Sequence, residues 1–365
     1  MRMHRFRTVQ RLAALLAMAT AAPLALAAEG TALVFLSNRD GGSFQLYRQA
    51  CGAATPSRVI QEPMEAAEPA LSPDGRRVAF ISHAGGRPDL YVVDLDSGKL
   101  QRLSDDAAME AAPVWSPDGK RLVYQSYADG TPKLYLIDAS GGTPRRLTRG
   151  QGEENGGVFS PDGRYLVYAE FRHREDQALI RIDLRSGAAR RLSAEPTGGM
   201  DGQARWSPDG KRLAYIHHSG EASQLFTVNA DGSGRRALTA RGGRHSDPQW
   251  SPDGRQIAVL SLRPGIARQG VYLISSQGTP VERRLFDGDE ETLQLRWPSG
   301  GRELLLVRFG RSGGGRLVAA DVDAERLRAL PGGAGYDYEP QVANLSCLNP
   351  LLVETTRDTP QKSNS

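Results

Sequence analysis

The chain has 365 residues, 39% hydrophobic and 7% aromatic, with 46 basic and 42 acidic residues and a formal charge of +4. Four basic residues and no acidic ones fall within the first 27 positions, so the remainder is formally neutral. Such balance lacks the basic stripe that neutralises phosphates and argues against a nucleic-acid partner, and no apolar run after residue 27 approaches the roughly 18 residues of a membrane span.

Residues 1–27 combine a basic start (Arg2, Arg5, Arg7, Arg11), an apolar stretch from Leu12 to Leu26 and the small-residue site Ala25-Leu26-Ala27. This is the pattern of a secretory signal peptide, which predicts a periplasmic or secreted protein and an oxidising environment. One domain is expected over 28–348, followed by a flexible C-terminal tail over 349–365.

From Leu33 to Ile60 the segment reads as strands two, three and four of a four-stranded unit with no first strand before them. Next comes a turn that recurs. WSPDGK at Trp115–Lys120 returns at Trp206–Lys211 and, as WSPDGR, at Trp250–Arg255. Proline presets φ for the second position of a type I turn, aspartate suits the third, and glycine accepts the left-handed conformation that follows. Flanking strand formers, Val114 and Trp115 before and Leu122, Val123 and Tyr124 after, make the turn a hairpin corner.

The corner serines stand at Ser72, Ser116, Ser160, Ser207 and Ser251, with steps of 44, 44, 47 and 44, and a decayed copy puts Pro298 another 47 along. Periods of about 40 to 50 residues with strand patterning indicate propeller blades of four strands. Each copy continues with a second strand such as LVYQS, a polar turn, a third such as KLYLID, and a short fourth strand ending in Arg-Leu. The segment Glu339–Ala343, EPQVA, resembles the first strand at Glu68–Ser72 and would complete the N-terminal fragment. The expectation is an all-β, seven-bladed propeller of antiparallel blades closed by strands from both termini, which removes free sheet edges; six blades is the alternative.

The repeat P-x-W-S-P-D-G-K, followed by apolar residues and a D-G turn, resembles the WD40-like repeat of the TolB-like β-propeller family. Five good copies, one decayed copy and the closing fragments carry the likeness from about Leu33 to Ala343. The resemblance implies a periplasmic envelope protein that binds the peptidoglycan-associated lipoprotein across its propeller. In that family an N-terminal α/β domain makes other contacts; too few residues precede Leu33 for it here, so those contacts are not expected. Related propellers accompany peptidases and resemble oligogalacturonate lyases, so fold alone does not assign chemistry.

Catalytic residues are not expected. Gly310-Arg311-Ser312-Gly313-Gly314 fits G-x-S-x-G, but its setting between two blade strands is not the strand-to-helix elbow that motif requires. Of the histidines after residue 27, His83, His173, His217 and His218 fall at or near turns between second and third strands. Only His245 precedes a first strand, so neither a metal nor another cofactor is expected. Cys51 and Cys347, the only cysteines, follow the third and first strands of the closing blade at the same end, where a disulfide is expected. Six residues before each corner stand Glu110, Glu154, Asp201, His245 and Asp337, with Ala66 and Thr292 at the other two positions. These are expected to form an acidic channel rim that binds an envelope protein or basic peptide, a lipoprotein among the candidates. The alternative is a polysaccharide-lyase-like enzyme with a channel-bound metal.

Overall fold

A single serine organises each corner. Ser116 Oγ donates to Asp118 Oδ1 (2.6 Å) and accepts the Arg121 N–H (3.0 Å), while the Gly119 N–H bonds the Ser116 carbonyl (2.8 Å). Gly119 sits at φ 66°, where a Cβ is disfavoured. The Ser116 hydroxyl and the Lys120 N–H hold the Asp118 carboxyl below its usual range. The same bonds recur at Ser72, Ser160, Ser207 and Ser251.

The computed structural model describes residues 31–342 apart from 63, 106, 174–175, 194–198, 267–268, 279–281, 286–290, 299–300, 310–314 and 331–335. The expected signal peptide, the tail over 349–365, Cys347 and Ser312 lie outside the described residues. Those described form strands and turns without a helix, and none forms a helix long and apolar enough to cross a membrane.

The strands form five four-stranded antiparallel sheets and one eight-stranded sheet, in which two four-stranded antiparallel units are joined by a short parallel pairing of Asp176 and Gln177 with Gly199 and Met200, so seven such units stand among the described residues. Blade 1 holds Ala67–Leu71, Arg77–Ser82, Asp89–Asp94 and Leu100–Arg102, and blade 2 holds Glu110–Trp115, Arg121–Ser126, Lys133–Asp138 and Arg145–Arg146. Blade 3 is Glu153–Phe159, Tyr165–His173, Asp176–Asp183 and Ala189–Arg191; blade 4 is Gly199–Trp206, Arg212–Ser219, Ala222–Asn229 and Arg236–Ala237. Blade 5 comprises Arg244–Trp250, Gln256–Leu262, Gly270–Ser275 and Glu282–Arg284, and blade 6 Glu291–Arg296, Glu303–Phe309, Gly315–Asp321 and Arg326–Ala329. Blade 7 joins the two ends of the chain: Asp337–Val342 pairs with Thr31–Ser37, which is followed by Gln45–Ala50 and Ser57–Arg58. Each first strand packs against the next, and that of blade 7 packs against that of blade 1, which closes the ring.

Period-two alternation explains the packing. In blade 7, Leu33 and Phe35 pack against Leu305 and Leu317 of blade 6, whereas Val34 and Leu36 pack against Val78 and Phe80 of blade 1. Both faces of every blade are therefore apolar, and a hydrophobic cluster fills each of the seven blade interfaces. The corner tryptophans fasten some interfaces further: the indole N–H of Trp115, Trp206 and Trp250 donates to the carbonyl of Ala70, Val158 and Arg205 in the preceding blade, at 2.8, 3.1 and 3.0 Å. Phe159 occupies this place in blade 3 and offers no donor.

Candidate functional site

The first strands line a central channel, and each carries a bulge that sets which side chains face it. Pairing slips between Ala111 and Val114 in blade 2, and at the matching places in the other blades. At the bulge, Glu68, Ala112, Gln203, Asp247 and Glu339 adopt φ between 48° and 53°, and Gly156 adopts 63°. One extra residue reverses the alternation of faces beyond it.

That reversal corrects the expected rim. Glu110, Glu154, Asp201, His245 and Asp337 are 0–5% exposed and lie in strands, not in solvated loops. Each sits opposite a second-strand residue of its own blade: Glu110 faces Ser126, Glu154 faces Glu170, Asp201 faces His217, His245 faces Ser261 and Asp337 faces Ser37. They form a buried polar belt. Ser126 Oγ donates to Glu110 (3.2 Å), His217 Nδ1 lies 2.7 Å from Asp201, and Arg39 bonds Asp337 at 2.8 Å. Glu154 accepts the Leu134 N–H (3.0 Å) and the Thr148 hydroxyl, both of blade 2. Burial pushes the carboxyls of Glu154 and Asp337 up, and it brings His245 down to about 4 with help from Arg263.

The exposed rim lies one residue earlier. Glu65, Met109, Glu153, Met200, Arg244, Glu291 and Tyr336, one per blade, all face solvent. Three are acidic, three large and apolar, one basic. Tyr127, Ile266 and Leu293 lie at this end too, so six of the seven large exposed hydrophobic side chains among the described residues are found there.

Deeper in the channel the bulge side chains link blade to blade. Gln294 Oε1 accepts the Glu339 N–H (3.1 Å), Glu339 Oε2 accepts the Glu68 N–H (2.9 Å), and Glu68 accepts the Ala112 N–H. On the other side Gln203 accepts the Asp247 N–H (2.7 Å) and Asp247 Oδ2 accepts the Leu295 N–H (2.7 Å). The relay is interrupted on both sides of blade 3, because Ala112 and Gly156 carry no side-chain oxygen. Burial, with Glu68 alongside, raises the Glu339 carboxyl.

The layer two residues before the corners is uneven too. Blades 1, 2 and 3 present Ala70, Val114 and Val158; blades 4, 5, 6 and 7 present Arg205, Gln249, Arg296 and Gln341. On the apolar side a cavity of about 450 Å³ opens where Gly156, Gly157 and Ala204 replace larger residues. Arg205, Arg296, Asn155, Gln203 and Gln341 supply its polar lining, which includes no carboxylate.

His217 and His218 lie in the second strand of blade 4 and His245 in the first strand of blade 5. No group of three or more His, Cys, Asp or Glu among the described residues could hold a metal. The strands flanking Ser312 pair antiparallel in blade 6, and a helix does not follow them. Cys51 packs against the core between blades 6 and 7.

Known proteins share this architecture. The family model described as the TolB beta propeller domain matches residues 56–194 and 156–346. A protein TolB homolog of Chlorobium chlorochromatii is 36% identical over 75 residues, 20% of this chain and 17% of that protein. TolB from Acinetobacter baumannii superposes with a TM-score of 0.54 at 21% identity over 85% of this chain and 66% of that one. An oligogalacturonate lyase from Vibrio parahaemolyticus gives 0.62 at 14% identity over 83% and 85%. The matches span less than two thirds of the length of both TolB relatives, and at such identities the structures share the fold alone. With the family model covering most of the ring, the chain belongs to the TolB β-propeller domain family.

Proposed function

We propose that the protein is an exported, non-catalytic binding module of the cell envelope that holds a segment of a partner protein at the exposed rim of its channel. The carrying observation is that Met109, Tyr127, Met200, Leu293 and Tyr336, on blades 2, 4, 6 and 7, are all exposed at one end of the ring. Large apolar side chains gathered in solvent mark interaction surfaces, and aromatic residues and methionine suit them. Glu65, Glu153 and Glu291 between them favour a basic segment. The buried belt keeps the strands that carry this rim in place.

Crosslinking of purified protein in periplasmic extract tests the reading. Met109→Lys with Met200→Lys should abolish the crosslinked species seen with wild type without lowering Tm, because both side chains are already solvated. Arg255→Ala, at the corner end, serves as control. Loss in the control but not in the rim variant would place the partner at the other end. A catalytic reading would instead require turnover of an oligouronate with a metal that copurifies.

Export bears on covalent closure. A Cys51–Cys347 disulfide would tie blade 7 across nearly the whole chain, a loop for which the entropy model gives on the order of 5 kcal/mol. Thiol titration of the oxidised protein in denaturant should find no free thiol; two would remove the bridge.

A further inference from the structure

Two guanidinium groups reach the channel cavity, and they share one carboxylate. Arg205 Nη2 lies 3.7 Å from Asp247 Oδ1, and Arg296 Nη1 lies 3.5 Å from Asp247 Oδ2. Both Asp247 oxygens already accept other donors, Oδ1 from Gln249 Nε2 (2.9 Å) and Oδ2 from the Leu295 N–H (2.7 Å). Glu339, the next carboxylate acting on Arg296, uses Oε2 on the Glu68 N–H. Arg205 Nη1 donates to the Ala204 carbonyl (3.1 Å) and Arg296 Nη1 to the Leu295 carbonyl (2.7 Å), so each guanidinium keeps further N–H groups beside a cavity whose own lining has no carboxylate.

The opposite wall is apolar. Val114 and Val158 line it, and a Cβ on Gly156 would meet nothing within 4 Å, so the space beside that residue is open. Gly156 and Gln203 line the same space. Trp115 and Tyr168 contact the cavity but are 6% and 5% exposed, which leaves no aromatic platform of the kind on which a sugar ring stacks. A volume near 450 Å³ lies within the range of about 300–1,000 Å³ typical of small-ligand sites and accommodates a short chain end.

We propose that this cavity binds the C-terminal carboxylate of an extended peptide, with Arg205 and Arg296 holding the carboxylate and the Val114–Val158 wall taking the last aliphatic side chain. Planar guanidinium forks match a carboxylate geometrically. A terminus suits the site better than a continuing chain, whose next peptide groups would meet apolar wall without partners. The proposal rests on the binding role given above and adds the chemistry of the ligand.

Calorimetry of the full-length protein with N-acetylated aliphatic tripeptides, as free acids and as C-terminal amides, tests it. The free acids should bind at least tenfold more tightly than the amides, and more weakly as salt increases. Arg205→Gln with Arg296→Gln should remove that preference. Equal affinity of acid and amide on wild type, no binding of the acids, or tighter binding of a peptide with an internal glutamate and an amidated end would each overturn it. So would binding of trigalacturonate in place of the peptides. If the arginine variant still crosslinks its partner normally, the rim reading stands and this one falls.

Discussion

Blades 3 and 5 answer the same sequence period in opposite ways. Blade 5 places Asp247 at the bulge and Trp250 before the corner, so it bonds to blades 4 and 6 and stands beside Arg205 and Arg296. Blade 3 places Gly156 and Phe159 there; it attaches to blade 2 through Glu154 and Gln125, and to blade 4 through Trp206 and a short parallel pairing of Asp176 with Gly199. The scaffold repeats while the fastening does not. The channel is bridged where the bulge residue carries an oxygen and open where it is glycine.

The largest loss is expected at Trp250. Trp250→Ala should cost about 3–5 kcal/mol in urea unfolding, since it removes a buried ring and leaves a cavity. Trp250→Phe, which gives blade 5 the residue native to blade 3, should cost only about 1 kcal/mol for the lost bond to Arg205. Asp247→Ala should follow at about 2–3 kcal/mol, because the Leu295 N–H loses its acceptor and two guanidiniums lose their counter-charge.

A change in the other direction sharpens the contrast. Gly156→Asn gives blade 3 a bulge oxygen for the Gln203 N–H, and asparagine tolerates the left-handed conformation, so Tm should correspond to a change within about 1 kcal/mol. Gly156→Val, without oxygen or tolerance, should lose more.

The smallest expected effect is in pH dependence. Burial raises the Glu154 carboxyl, and Glu170 stands opposite it in register. The stability from its neutral form is present below the unfolded value of about 4.3 and is lost as pH rises through the higher folded value. Glu154→Gln should therefore gain Tm relative to wild type at pH 7.5 more than at pH 4, in paired melts. An equal difference at both would show that folding does not raise the Glu154 carboxyl, and a smaller gain at pH 7.5 would show that it is held ionised.

The blades were legible in the sequence because one turn chemistry repeats: Ser116, Asp118 and Gly119 each have a bond or a dihedral that only a few residue types satisfy. Closure was legible because EPQVA lacks the strands that Leu33–Ile60 supplies. Facing was not. Counting back from Trp115 by twos puts Glu110 on the face opposite to Trp115, but the bulge at Ala112 reverses the count, and nothing about an alanine announces a left-handed backbone. The exposed rim, one residue earlier, was hidden by the same step. The interruption of the relay could have been found from Ala112 and Gly156 only after the bulge positions were known to form a ring.

Blade 7 sets the timetable of folding. The strand Thr31–Ser37 is among the first made, yet one of its two neighbours, Asp337–Val342, lies some three hundred residues later. Until that strand arrives the nascent sheet has an open edge that can pair with another chain, and contacts of such sequence separation form slowly. On the exported role proposed above, this delay is useful: the circle cannot lock while its last segment is still on the far side of a membrane.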